Sequence, residues 1–216
     1  MILSNIIEFQ EKSSSEVKLT LFINVYRTVL LEFSTRGNEN LSFNEVREFK
    51  TSIHHPILPN YLKTFIYRLS NCVLPLKCNY VPFLLDNDSR CEFCNLHYET
   101  NYHVFLECNL VVALWKKVEL ITGLNLLNRN IIAFKHNESA NNFDMNVYCT
   151  ALLCNKIWKM RNEMKHEGVQ NFDEKCIINN FVRSFRSRKY FEDRKSESLF
   201  MNEFTAILQS INTYVA

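Results

Sequence analysis

The stretch CEFCNLHYETNYHVFLEC, residues 91–108, contains cysteines and histidines at the spacing of metal ligands. Cys91 and Cys94 form a Cys-x2-Cys pair, and His103 and Cys108 form a His-x4-Cys pair further along. A Cys-x2-Cys turn lets two thiolates bind one ion, and a more distant histidine and cysteine complete the tetrahedron that Zn²⁺ prefers in structural sites. The pattern predicts one structural zinc ion with four protein ligands and no open position for a catalytic water.

Two alternatives to this ligand set remain open on the sequence alone. His97 also follows the first cysteine pair closely and could replace His103 as the third ligand. We favour His103 because the longer stretch of chain after Cys94 can wrap around the ion. The other alternative is a set of ordinary buried thiols beside an unrelated histidine. The ligand spacing favours zinc.

The composition predicts a mainly α protein. The zinc site is then a small Cys3His knuckle inserted into a helical domain. The 216 residues are 47% hydrophobic and include 17 Phe and 9 Tyr, but only 3 Gly and 4 Pro. So few turn-forming residues favour long helices over a many-stranded sandwich. The chain is long enough to bury a core of its own.

Hydrophobic periodicity and end signals predict where the helices lie. Gly123 and Gly168 are predicted to end two of them with a positive φ, and Asp173 with Glu174 favours the start of another. The predicted helices cover 16–33, 61–69, 102–122, 143–166, the residues after 173, and 198–214.

Several residues outside the ligand pattern are assigned to the core or to the surface. Trp115 and Trp158 stand among aliphatic neighbours at helical spacing, which predicts burial. His54 and His55 have no partner at a recognisable spacing and are predicted to lie on the surface. Five cysteines are predicted to be small core residues: Cys72, Cys78, Cys149, Cys154 and Cys176.

Three further elements accompany the ligand pattern. Glu99-Thr100 lies between the two ligand pairs, Leu114-Trp115 follows them, and IWKMRNEMKHEG at 157–168 comes later. With FIYRLSNCVLPL at 65–76, this order resembles the C-terminal zinc-binding region that follows the polymerase of non-LTR retrotransposon (LINE-like) reverse transcriptases. The resemblance covers roughly 59–168 and implies a zinc-binding region associated with element RNA and target DNA.

The resemblance suggests a division into three regions: an N-terminal helical region at 1–58, a reverse-transcriptase-type zinc-binding region at 59–168, and C-terminal helices with a basic face at 169–216. No internal repeat or low-complexity linker forces these regions to be independent domains.

Catalytic motifs of such elements are missing from the sequence. We find no Tyr-x-Asp-Asp type sequence for polymerase metals, and none of the four prolines is followed by Asp, as the nuclease of some relatives requires. Both of these carboxylate clusters would be needed to hold catalytic divalent metals. We therefore expect no catalytic residues and no enzyme activity.

The segment FVRSFRSRKYFEDRK at 181–195 concentrates positive charge on one helical face. Arg183, Arg186, Tyr190 and Arg194 are spaced by three or four residues, opposite the apolar positions. Arginines can hold phosphates and tyrosine can stack on a base, so this face is the candidate for nucleic-acid contact. The alternative is a solvated helix face, because nearby acidic residues dilute the charge.

Charge and targeting signals limit the possible partners only weakly. The net charge of +2 does not by itself indicate a polyanion partner. The first residues lack a secretion signal, no stretch is apolar enough to span a membrane, and eight cysteines suggest a reducing compartment. We expect a nuclear or cytoplasmic protein whose partner is RNA or DNA. The alternative is a zinc-stapled interaction or structural module that docks on a polymerase core or another protein.

Overall fold

The computed structural model describes residues 53–80, 89–127, 142–194 and 200–215. The predicted helix at 16–33 lies outside these residues. The described part is mainly helical and contains no strand, which confirms the predicted fold class. Its α-helices are α1 (Asn60–Ser70), α2 (Lys77–Tyr80), α3 (Asn109–Thr122), α4 (Phe143–His166), α5 (Glu174–Asp193) and α6 (Met201–Val215).

Helix α4 lies at the centre of the described helices. It is buried on most of its surface from Met145 to Arg161, as expected for a helix that packs on several sides. Helices α1 and α5 pack against it, while α3 and α6 pack against α5 and against each other. The buried apolar side chains from Ile53 to Ile211 form one continuous core among the described residues. The proposed division of the chain into three regions stays a prediction.

Several helix ends lie where the sequence predicted them. Helix α4 has the predicted bounds, and Gly168 after it has a φ of 74°. Gly123 ends α3 with a φ of 71°, and its N–H donates to the carbonyl oxygen of Glu119. At the start of α5, the Asp173 carboxylate accepts a 2.8 Å hydrogen bond from the N–H of Cys176. These ends were predictable because each depends on a side chain or a φ angle within a few residues.

The predicted helix at 102–122 is wrong as one continuous element. A π-helical turn covers His103–Glu107, Cys108 is extended with φ −60° and ψ 123°, and α3 begins only at Asn109. Within α3, Leu120 is 67% exposed, although it is apolar.

The prediction that His55 lies on the surface is also wrong. His54 is exposed, but His55 is partly buried and its Nε2 lies 3.1 Å from a carboxylate oxygen of Asp144. Its ring also packs against Phe143, with ring centroids 5.4 Å apart. The partner is far away in the sequence, so no local spacing could indicate it.

The burial of the other assigned residues follows the predictions in part. Trp115 and Trp158 are buried, as predicted. Cys149 and Cys154 are fully buried, whereas Cys72, Cys78 and Cys176 are only partly buried. All eight cysteines lie in described residues, and none of them forms a disulfide. None of the described helices is both long and apolar enough to cross a membrane.

Candidate metal centre and basic helix face

The structure brings the four predicted ligand side chains together. One ligand atom from each of Cys91, Cys94, His103 and Cys108 lies within 4.8 Å of every other. The sulfur of Cys94 lies 3.3 Å from Nε2 of His103. Cys91, His103 and Cys108 are buried and Cys94 is partly buried, so the cluster lies at the edge of the core.

The first ligand pair lies in a closed loop. The N–H of Cys91 donates to the carbonyl oxygen of His97 (2.7 Å), and the N–H of Glu99 donates to the carbonyl oxygen of Ser89 (2.8 Å). Inside this closure, the N–H of Asn95 donates to the carbonyl oxygen of Cys91 (2.9 Å), and Asn95 has a φ of 55°. Asparagine tolerates this left-handed conformation better than most residues. The result is a tight turn that directs both cysteine side chains toward one point. We call residues 89–108 the knuckle.

The second ligand pair depends on the π-helical turn. Side chains five residues apart, such as those of His103 and Cys108, point about 140° away from each other on a regular α-helix. Here the N–H of Cys108 donates to the carbonyl oxygen of His103 (2.8 Å), which is the i→i+5 bond of a wider turn. The Thr100 hydroxyl accepts a 3.0 Å hydrogen bond from the N–H of His103 and thereby caps the turn. The wider winding lets both side chains face the cluster.

The protonation preferences of Cys108 and His103 suit a metal site. A hydrogen bond between the Cys91 and Cys108 thiols raises the pKa of Cys91 and lowers that of Cys108. The backbone amides of Leu110 and Val111 add to the lowering for Cys108. Burial lowers the pKa of His103, which keeps the imidazole neutral. Thiolate and neutral imidazole are the forms that bind Zn²⁺.

The donor set fits a zinc ion. In a tetrahedral site with Zn–S distances of ~2.3 Å, neighbouring sulfur atoms lie about 3.8 Å apart. Donor atoms that all lie within 4.8 Å of one another can therefore close on one ion after small side-chain movements. His97 is exposed and lies outside the cluster, with its ring centroid 5.2 Å from that of His103. The geometry thus favours His103 over His97 as the third ligand.

A buried ion pair connects the knuckle to the central helix. The Arg161 guanidinium on α4 contacts both carboxylate oxygens of Glu99, at 2.5 and 3.3 Å, and the two side chains are 1% and 0% exposed. The same carboxylate accepts hydrogen bonds from the N–H groups of Lys77 (2.9 Å) and Glu92 (3.3 Å). The Glu99 side chain therefore connects α2, the loop of the first ligand pair and α4.

Sequence reasoning did not assign roles to Glu99 and Arg161. Both belong to the motifs that carry the family resemblance, and Arg161 follows the buried positions Ile157 and Trp158 on α4. A charge on an otherwise apolar helix face was the available signal, because a charged group on that face requires a buried partner. The partner itself could not be found by spacing, since the two residues are 62 positions apart.

Trp115 fixes the π-helical turn to α3. Its indole N–H donates a 2.8 Å hydrogen bond to the carbonyl oxygen of Phe105, and the ring is fully buried. This contact satisfies both the indole donor and a carbonyl in the irregular turn. The tryptophan predicted to be a core residue thus also supports the backbone that carries His103 and Cys108.

The second candidate site is the basic face of α5. Arg183, Arg186, Tyr190 and Arg194 are all exposed, as the helical spacing predicted. The Arg194 guanidinium carbon lies 5.1 Å from the centroid of the Tyr190 ring, and Arg186 donates to the side-chain oxygen of Asn212 on α6 (3.0 Å). The opposite side of the helix is buried through Phe181, Val182 and Phe185.

The structure adds cations that the sequence reasoning missed. Lys156 and Lys159 on α4 line a hollow beside α5, together with Asn180. Burial first, and then the charges of Lys159 and Arg183, lower the pKa of Lys156. The basic surface therefore continues from α5 onto α4. Arg188, by contrast, donates to the carbonyl oxygen of Ile57 (3.2 Å) and pairs with the buried Glu192 (2.8 Å).

Comparison with known proteins supports the metal site. A family model described as zinc-binding in reverse transcriptase matches residues 34–115. The match contains all four clustered ligand residues and the Leu114-Trp115 pair, and ends before Arg161. It covers less than half of the chain and does not distinguish the non-LTR class of elements. No curated protein and no solved structure matches the chain.

Proposed function

We propose that the chain is a non-catalytic, zinc-stapled helical module derived from a non-LTR retroelement reverse transcriptase, and that it binds RNA or DNA. The match of residues 34–115 to a reverse-transcriptase zinc-binding model and the compact Cys3His cluster support the first part. The nucleic-acid part rests on the exposed row formed by Arg183, Arg186, Tyr190 and Arg194.

In this proposal the metal has a structural role. Cys91, Cys94, His103 and Cys108 would hold one Zn²⁺, and all four positions of a tetrahedral ion would then be filled by protein. Such an ion supplies folding free energy to the knuckle, because the ligand geometry does not exist in the unfolded chain. No position is left for a water molecule that the ion could activate.

The exposed face of α5 has the chemistry of a phosphate-binding surface. Guanidinium groups hold phosphate oxygens in pairs, and an aromatic ring among them can stack on a base. No described carboxylate forms an ion pair with Arg183, and Lys156 and Lys159 extend the positive surface beside it. We expect sequence-independent binding that weakens as the salt concentration rises, because phosphate contacts release counterions.

A salt titration tests this function. Fluorescence anisotropy with a labelled oligonucleotide would give the affinity of the parent chain, Arg183→Ala and Arg186→Ala at several salt concentrations. Each substitution should weaken binding and reduce the slope of log affinity against log salt by about 1 for each lost phosphate contact.

The matched control for this titration removes a charge elsewhere. Lys116→Ala deletes an exposed cation of α3 and should leave the slope unchanged. Absent binding, or binding that does not respond to salt, would contradict the proposed function.

A second candidate function is docking on the polymerase core of a reverse transcriptase. The observation that favours it is the apolar surface of the knuckle, where Leu96, Tyr98 and Tyr102 are 72%, 73% and 53% exposed. Exposed apolar groups gathered in one place are typical of interaction surfaces. If they form such a surface, the isolated chain should self-associate in light scattering, and Leu96→Ser with Tyr98→Ser should abolish this. A monomeric parent chain would remove this support.

A further inference from the structure

A hollow of about 300 Å³ lies between the start of α1, the first half of α4 and the second half of α5. Its volume is at the lower end of the ~300–1,000 Å³ range of small-molecule pockets. Apart from Pro59, its side chains are aromatic, hydroxyl or cationic, and no carboxylate lines it. The lining residues used below are Tyr61, Tyr148, Arg183, Ser187, Arg188 and Phe191.

Aromatic rings flank this pocket at its open side. Tyr61 on α1 is 53% exposed and Phe191 on α5 is 61% exposed, so each ring still presents surface to solvent. Tyr148 on α4 is buried and contributes to the inner wall. Half-exposed aromatic rings at a pocket mouth are suited to stacking on a flat, uncharged ring.

The cations of the pocket occupy different positions. Arg183 is exposed, whereas the Arg188 guanidinium is fixed by the carbonyl oxygen of Ile57 and by Glu192. The charge of Arg188 also acts on Tyr61, where it opposes the increase in pKa that burial causes. A ligand in the pocket would therefore contact the fixed guanidinium of Arg188 and the exposed guanidinium of Arg183.

A second, smaller hollow of about 190 Å³ follows along the same flank of α5. Asn180 lines the smaller hollow, and Ser184, Ser187 and Phe191 line the larger one. These four residues are spaced by three or four positions, so they lie along one side of the helix. Lys156 and Lys159 provide positive charge in the smaller hollow, against one carboxylate from Glu163.

We infer that the larger pocket holds one unpaired base of a single-stranded nucleic acid, whose phosphates continue past Arg183 toward Lys156 and Lys159. The inference rests on the proposed function and specifies that the bound nucleic acid is single-stranded. Bases inside a duplex are stacked on their neighbours and cannot present a free face to protein rings, whereas single strands can. Rings beside a row of cations are the arrangement that single-strand binding uses.

The test compares single-stranded with duplex oligonucleotides of equal length, as both RNA and DNA, by fluorescence anisotropy. Tyr61→Ala and Phe191→Ala should each weaken single-strand binding by about 5- to 100-fold, the loss typical of one base stacked on one ring. Binding of the duplex and the salt slope should stay unchanged, because neither substitution removes a charge. Tyr61→Phe should retain the parent affinity, since the stacking ring remains.

Tyr67→Ala is the matched control for these variants. Tyr67 lies on the same helix as Tyr61, is also 53% exposed, and does not line the pocket, so its removal should change no affinity. If neither Tyr61→Ala nor Phe191→Ala weakens single-strand binding but Arg183→Ala does, the pocket does not bind a base. The proposed function would still hold. A parent chain that binds neither form would overturn both.

Discussion

The knuckle and helix α5 carry the two candidate sites, and their geometry depends on interactions of different range. In the knuckle, ligands come from a closed loop and a π-helical turn, and Glu99 reaches Arg161 across 62 positions. In α5, an N-cap within the same segment, a regular helix and a buried apolar side orient the exposed arginines. The geometry of the knuckle therefore depends on a few specific side chains. The geometry of the basic face instead depends on the repeated hydrogen bonds of a regular helix.

Substitutions in the knuckle should therefore affect stability, whereas substitutions on the exposed face of α5 should affect binding. Removal of one ligand or one partner of the buried pair should disturb the whole knuckle, because only a short π-helical turn and a few backbone hydrogen bonds otherwise hold its backbone. Removal of one exposed arginine should leave α5 folded, because the helix does not use that side chain for packing. The following predictions test the contrast, from the largest expected effect to the smallest.

The largest effect should follow the loss of a metal ligand. Cys108→Ser should reduce the zinc content from one ion per chain to none and unfold the knuckle. Zinc-binding free energies of ~10–16 kcal/mol in zinc-finger peptides are comparable to the ~5–15 kcal/mol stability of a whole domain. Elemental analysis and urea unfolding of protein purified without added metal would measure both effects.

Two controls accompany this prediction. His97→Ala should retain zinc, since His97 lies outside the cluster. After chelation, Cys91, Cys94 and Cys108 should become reactive toward an alkylating agent, whereas Cys149 and Cys154 should stay protected, because burial raises the pKa of both thiols. Zinc retained by Cys108→Ser, or absent from the well-folded parent, would show that the assigned ligand set is wrong.

The next effect should come from the buried ion pair. Glu99→Gln and Arg161→Met should each lower the free energy of unfolding by about 3–5 kcal/mol, because each leaves a buried charge without its partner. The double variant should lose less free energy of unfolding than the sum of the losses in the two single variants. Urea unfolding of all four proteins forms a double-mutant cycle. Additive losses would mean that the two residues do not stabilise the knuckle as a pair.

A smaller effect should follow the loss of the α5 cap. Asp173→Ala removes the carboxylate that accepts the hydrogen bond from the N–H of Cys176 and should cost about 1 kcal/mol. Thermal unfolding would measure the loss, and zinc content should not change. Asn171→Ala, an exposed substitution just before the helix, is the control and should have little effect. A change in zinc content on loss of the cap would show that the two sites are coupled.

The smallest effect on stability is expected at the basic face itself. Arg183→Ala should change the free energy of unfolding by less than ~0.5 kcal/mol, since the side chain is exposed and α5 does not depend on it. The same variant should weaken nucleic-acid binding. A large loss of stability, measured by urea unfolding, would instead make Arg183 a structural residue and remove the contrast between the two sites.

Local patterns in the sequence were sufficient for much of the fold. Helix α1, the full extent of α4, the glycines after α3 and α4, and the Asp173 cap all lie where they were predicted. Each of these features depends on residues within one or two helical turns of each other. The ligand spacing likewise predicted which four side chains the structure brings together.

The failures share a physical cause. The break at Cys108 interrupts a stretch whose apolar periodicity favours a continuous helix, and the π-helical turn is what lets His103 and Cys108 face the same cluster. His55 was assigned to the surface because its carboxylate partner, Asp144, is remote in the sequence. In both cases a tertiary contact overrides the local preference.

The sequence by itself determined the helical class, most helix ends and the three cysteine ligands of the cluster, because periodicity, capping and ligand spacing are local properties of the chain. Only the tertiary structure decided that Glu99 and Arg161 form a buried pair, that His103 rather than His97 enters the cluster, and that Tyr61 joins Arg183 and Phe191 around one pocket. These contacts join helices and loops that are far apart in the sequence, and they exist only once the packing of the core has fixed how those elements meet.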